Sequence, residues 1–364
     1  MIQINCTVSG DQTGPAMCRV TGGADYTGVF ESPSRVIFMV ADGEHGRACA
    51  FATGANSVAS LVPPRPGAWE GPLLTYPPLV DVPRRLHIEG QRFVNDQGQE
   101  WRWRGHIDFP LFALSLRGQP IDTILRPRYA AGSRVVATLG MWHYGPVPFR
   151  PSEFGDRYFR HMRPFAQALA ELGFYWQPIL LADAQVIMPD VSEQRAFVQL
   201  CAEWMAGEPN ILPSLCNEAD KNGVHPGDFT HPGQGLLWSR GSGLADQAPY
   251  QPGWDWKEWH GRRDWPKVLW SMDDMWYVGD GSDGDGHRLD TPKPVVCTEP
   301  MGWWDHDVPG RRSSSPALAR VIGGTSVYNG CGSNAMTQAG LSCEPWDPTT
   351  TACVQAQMAA ILSA

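Results

Sequence analysis

The spacing of apolar and polar positions divides this chain into two textures. Near the start, Ile2, Ile4, Cys6 and Val8 alternate with polar partners, and Arg35 to Val40 forms a short apolar run that ends at Asp42-Gly43. Alternation with period two predicts half-buried strands, so residues 1–62 are expected to be a small β-rich domain. Val62-Pro63-Pro64-Arg65-Pro66-Gly67, Tyr76-Pro77-Pro78 and Val82-Pro83 follow. Proline at this density makes a stiff, extended connector, which places a linker over residues 63–85.

From Leu86 the pattern changes. Leu86-His87-Ile88, Arg92-Phe93-Val94 and Glu100-Trp101-Arg102-Trp103 read as short strands separated by Glu89-Gly90 and Asn95-Asp96-Gln97-Gly98 turns. Beyond them, strand-like and helix-like segments alternate, the signature of βα units and a parallel sheet. Over 158–172, Phe159, Met162, Phe165, Ala166, Leu169 and Leu172 share one helical face, and Gly173 supplies a stop. The apolar run from Phe174 to Leu181 predicts a strand buried on both sides. Residues 193–206 repeat the helical pattern with Phe197, Leu200, Cys201, Trp204 and Met205. Further strands are expected over 102–105, 134–138, 211–215, 236–238, 254–259, 295–297 and 325–328, with a last helix over 351–362. Eight strands in about 280 residues predict a (β/α)₈ TIM barrel over 86–364. An open doubly wound sheet is the competitor, and it lacks here the glycine-rich first turn that binds a nucleotide.

Composition narrows the function. A net charge of −9 argues against a nucleic-acid partner and against docking to an anionic membrane, both of which demand a Lys/Arg surface. No apolar run reaches the length needed to cross a bilayer, and the first residues show no basic segment followed by an apolar stretch. An extracellular or virion-associated location, otherwise a cytoplasmic one, is the expectation. A virus-encoded chain freed by lysis needs no export signal, and its N-terminal domain would then mediate assembly or attachment. Nine cysteines form no CxxC pair, and no segment has zinc-ligand spacing. Cys201, Cys216 and Cys297 read as small buried hydrophobes, and a disulfide among Cys331, Cys343 and Cys353 stays open. No cofactor and no metal are expected. Sixteen tryptophans suit either a sugar-binding surface or an aromatic core.

Reactive groups of a parallel barrel stand at the C-terminal ends of its strands. Two carboxyls fall there: Glu218, after Leu215-Cys216-Asn217, and Glu299, after Val295-Val296-Cys297-Thr298. The interval between them leaves room for two more βα units, so they sit on the fourth and seventh strands and face each other across the mouth. Glycoside hydrolysis needs such a pair, one carboxyl protonated to donate to the leaving oxygen and one ionised. Two carboxyls at a dry strand end raise each other's pKa, which supplies the acid.

These motifs resemble those of clan A glycoside hydrolases, the cellulase-type group that includes family 5. Asn217-Glu218 and Thr298-Glu299-Pro300 match the strand-four and strand-seven motifs, and Arg92 to Gly98 leading into Trp103-Arg104-Gly105-His106 resembles the entry to such barrels. The resemblance covers about three quarters of the chain and implies retaining cleavage of a β-linked oligo- or polysaccharide, with Glu218 as acid/base and Glu299 as nucleophile. It also implies that Asn217 binds the sugar 2-hydroxyl and that His260, in Trp259-His260-Gly261, contacts the nucleophile. One departure stands out: the Arg that many members carry at the end of the second strand is missing after Arg134-Val135-Val136-Ala137-Thr138. Trp142, His143, Trp303 and Trp304 are candidates to line a sugar cleft, and Asp108 and Asp183 to bind sugar hydroxyls. The missing Arg leaves a second reading, a non-catalytic glycan-binding or structural protein that retains the barrel. The glycine- and aspartate-rich run 279–286 lacks the closing Glu of a calcium loop, so it reads as a turn or lid.

Overall fold

The computed structural model describes the strands within residues 4–61, and then residues 83–219, 221–242, 253–260, 292–299, 316–328 and 330–363. The chain splits into two compact units, Met1–Val80 and Asp81–Ala364. In the first, β1 (Ile4–Ser9), β2 (Pro15–Val20), β3 (Asp25–Ser32), β4 (Arg35–Asp42), β5 (His45–Ala52) and β6 (Val58–Leu61) form one antiparallel sheet in the order β5-β4-β3-β2-β1-β6. Most of the proline-rich stretch that follows lies outside the described residues.

The second unit opens with a three-stranded antiparallel sheet, β7 (His87–Glu89), β8 (Arg92–Val94) and β9 (Glu100–Trp101). Seven parallel strands follow: β10 (Trp103–Ile107), β11 (Val135–Leu139), β12 (Tyr175–Leu181), β13 (Ser214–Cys216), β14 (Lys257–His260), β15 (Val295–Glu299) and β16 (Gly332–Ala335). Their order, β13-β12-β11-β10-β16-β15-β14, joins the first strand to the last. Ser239 closes the remaining gap by parallel bridges to Ser214 on one side and Trp256 on the other. Ser239 is therefore the fifth stave, and the sheet is an eight-stave (β/α)₈ barrel.

Helices cover its outer face. The run predicted as one helix over 158–172 is two, Asp156–Arg160 and Met162–Glu171. Pro164 has no N–H to offer the Arg160 carbonyl, so the ladder is interrupted there. Met162, Phe165, Ala166 and Leu169 are buried as the periodicity requires. Phe165 and Phe112 pack on Trp176 of β12 at ring distances of 5.0 and 5.3 Å. In Val191–Met205 the N-cap Asp190 accepts hydrogen bonds from the Ser192 and Glu193 amides. At the N-terminal end of the barrel, Phe93 of β8 meets Trp103 and Trp256, so β7–β9 plug the bottom and leave the C-terminal mouth for chemistry.

Two strand assignments are corrected. Residues 325–328 belong to the helix Pro316–Tyr328, and the last strand is β16. Gly323 lets that helix pack closely on the C-terminal helix Pro348–Ser363, since a Cβ there would lie 2.4 Å from the Gln357 carbonyl oxygen. This tertiary contact outweighs the strand preference of Thr325, Val327 and Tyr328. Residues 236–238 form no strand, and the stave falls on Ser239. Cys331, Cys343 and Cys353 are buried thiols with no disulfide between them.

Candidate active site

Glu218, His260 and Glu299 come together at the C-terminal mouth from the ends of the fourth, sixth and seventh staves. His260 Nδ1 lies 3.5 Å from Glu218 Oε1 and 3.5 Å from Glu299 Oε2. All three side chains are buried, at 1%, 1% and 5% exposure. One carboxylate oxygen of each Glu and a ring nitrogen of His260 all lie within 4.8 Å of one another. Three such groups also make a donor set that could hold a divalent cation.

The backbone holds this arrangement under strain. Glu218 has φ +36°, a left-handed conformation that costs a non-glycine residue of order 1 kcal/mol or more. The turn is fixed from both sides. Ser242 accepts the Glu218 amide through Oγ and the Ala219 amide through its carbonyl, while the Glu218 carbonyl accepts the amides of Lys221 and Asn222. Lys221 Nζ stands 3.0 Å from Glu218 Oε2. On the opposite side, the register between β14 and β15 slips, with Trp259 facing Cys297 but His260 facing Glu299. Such a bulge re-aims side chains. Two consecutive residues of β15, Thr298 and Glu299, are thereby both turned toward inward-facing groups of β14, Glu258 and His260.

The other predicted residues divide. Asn217 adjoins Glu218, is half-buried, and its Oδ1 has no hydrogen-bond partner among the described residues. Asp183, with φ +51°, accepts hydrogen bonds from the amides of His143 (2.7 Å) and Tyr144 (3.2 Å), so its carboxylate organises the loop after β11. Its own amide donates to Asn222 Oδ1, and Asn222 Nδ2 donates to the carbonyls of Asn217 and Glu218, which ties that loop to the Glu218 turn. Trp142 is buried against Phe109, whereas His143 is half-buried with its ring beside the exposed Tyr144. Trp142 thus packs inside the loop, and the more accessible rings there are those of His143 and Tyr144. Asp108 is completely buried and its oxygens are taken by Arg128 and His106, so it locks β10 to the helix Asp122–Ala130 and does not reach the open mouth. Burial works to raise the Asp108 carboxyl, but the Arg128 charge and the contacts of His106 outweigh it and hold it below the ordinary carboxylate range. Burial lowers the His106 pKa. Trp303, Trp304 and the 279–286 run lie outside the described residues.

Sequence reasoning missed Glu258. It sits two residues before His260 on β14, on the same strand face, and is 1% exposed. The hydroxyl of Ser214 donates to Oε1 and that of Thr298 to Oε2. Burial pushes the Glu258 carboxyl up to about 7, against the opposing pull of Ser214, Ser239, Thr298 and Gln177. The period-two relation to His260 was the available signal, and the identity of its partners was not.

Solved structures share this barrel fold. Over 70% of the chain, a family 5 glycoside hydrolase from Bacteroides vulgatus superposes with a TM-score of 0.53 at 16% identity, with 62% of that protein covered. The β-glucanase from Saccharophagus degradans in complex with cellotetraose gives 0.51 at 14% identity, over 76% of this chain and 94% of that one. The catalytic domain of an endoglucanase from Thermobifida fusca gives 0.51 at 10% identity, over 76% and 97%. The likeness is one of fold. No protein-family model matches the chain and no curated protein resembles it in sequence.

Proposed function

We propose that the second unit is a retaining glycoside hydrolase acting on a β-linked glycan, with cellulose-type β-glucans the first class to try. The observation that carries this reading is the approach of the two carboxyls, whose nearest oxygens lie within 4.8 Å. Retaining enzymes hold their carboxyls about 5 Å apart, whereas inverting ones leave about 6.5–9.5 Å for a water. Glu299 attacks the anomeric carbon while Glu218 gives its proton to the departing oxygen. Glu218 then takes a proton from the water that releases the sugar, restoring both groups. Its neighbour Asn217 offers a buried carbonyl oxygen to a sugar hydroxyl, the role the resemblance implies. His260, between the two carboxyls, takes over the orientation of Glu299 that an Arg supplies in many clan A enzymes.

The metal-ligating geometry of the same three groups gives a second reading, a cation-dependent hydrolase. One experiment separates them: release of reducing ends from a β-glucan panel by the full chain and by Glu299→Gln, each with and without EDTA. The glycosidase reading expects turnover that survives EDTA and is lost in the variant. Loss with EDTA and recovery on adding a divalent cation would favour the metal. Full-rate turnover by Glu299→Gln would contradict the assignment.

A further inference from the structure

Barrel interiors are normally filled by layers of branched apolar side chains. Beneath Glu218, His260 and Glu299 this barrel is polar instead: Ser214, Ser239, Glu258 and Thr298 are all buried. A buried polar group is costly unless satisfied, and a satisfied one fixes geometry more than it adds stability. The connectivity here is specific. Glu258 lies on the stave that ends in His260. Its Oε1 is held by Ser214, the first residue of the strand that leads to Glu218, and its Oε2 by Thr298, the residue immediately before Glu299, at 3.2 Å. A single carboxyl therefore grips the three staves that present the three site residues. The β14–β15 bulge is what makes this possible, because without it Thr298 and Glu299 would point to opposite faces of β15.

We propose that Glu258 is a positioning residue: by bridging Ser214 and Thr298 one layer below the mouth, it sets the separation of Glu218 and Glu299 and their placement around His260. The inference rests on the glycosidase reading for its kinetic consequence, but not for its structural one. Misplacing reacting groups by an ångström costs on the order of a hundredfold in rate. Thr298→Val keeps the shape of the side chain and removes the donor to Oε2 that stands next to Glu299, while Glu258→Gln keeps the size and changes the acceptor.

The test measures kcat and KM of the full chain and both variants, together with the imidazole nitrogen resonances of His260 by NMR. Positioning predicts that kcat falls by roughly tenfold or more with KM within about threefold, and that the His260 resonances shift, while the circular dichroism spectrum is retained. If Glu258→Gln fails to fold, Thr298→Val decides. Variants with unchanged kcat and unmoved His260 resonances overturn the proposal. A wild-type chain with no turnover on any glycan would end the glycosidase reading alone; the His260 resonances then decide the positioning role, a shift supporting it and no shift overturning it.

Discussion

At the scale of single residues, environment gives chemically similar carboxyls different tasks. Glu218 and Glu299 meet at the mouth around one imidazole, Glu258 lies below them among hydroxyls, and Asp108 is closed inside an ion pair. If Glu218 is the proton donor, Glu218→Gln should lose about 10²–10⁴ in kcat/KM on a glycan. On aryl glycosides whose phenol leaves without a proton it should lose far less. Equal loss on both substrates would remove the donor role. Glu258 carries a pH signature in stability. Its carboxyl titrates near 7 in the folded chain against an ordinary value of 4.5. Raised in the folded state, it contributes stability that is fully present below pH 4.5 and lost as the pH climbs through about 7. The sum over that window is roughly 3 kcal/mol. Melting temperatures of wild type and Glu258→Gln, taken at about pH 5 and about pH 8, should therefore move in favour of the variant at the higher pH. A constant difference would contradict the buried, titrating carboxyl.

At the scale of elements, ion pairing inside the wall decides what stays together. Arg128 reaches both oxygens of Asp108, the carbonyl of Glu344 and the ring of Trp346, joining β10, the helix Asp122–Ala130 and the segment before the last helix. Asp108→Asn leaves the Arg128 charge buried without its counter-ion, and urea denaturation should show a loss of about 3–5 kcal/mol. A loss under about 1 kcal/mol would mean that the pair contributes little.

These elements also show how much of the fold is legible in the amino-acid pattern. The periodic helices and the long apolar strand β12 could be read directly, because burial on one face or on both leaves a pattern in the sequence. The last strand could not: Thr325, Val327 and Tyr328 look like a strand, and a close helix contact at Gly323 overrides them. Nor could the fifth stave, a single bridging residue with no period to read. Glu218 and Glu299 were legible because each ends a buried run. Asp108 and Trp142 shared that position in the sequence, yet one found Arg128 and the other packed on Phe109, pairings settled only in three dimensions.

At the scale of the whole unit, closure of the ring assembles the candidate site. The first strand pairs with the last and Ser239 completes the circle, so staves four, six and seven are forced to one rim and groups distant in the chain come within 4.8 Å. The bulge in β15 and the strained turn at Glu218 refine what closure delivers. A nucleophilic Glu299 forms a covalent bond to sugar, and a slow substrate traps that bond. A 2-deoxy-2-fluoro-β-cellobiosyl fluoride loses fluoride as the carboxylate oxygen bonds to the anomeric carbon, and the 2-fluorine slows the hydrolysis that follows. Peptide mass spectrometry of the treated chain should find one added fluorinated cellobiosyl group, on Glu299. A label on any other residue, or none at all from a chain that hydrolyses β-glucan, would contradict a nucleophilic Glu299.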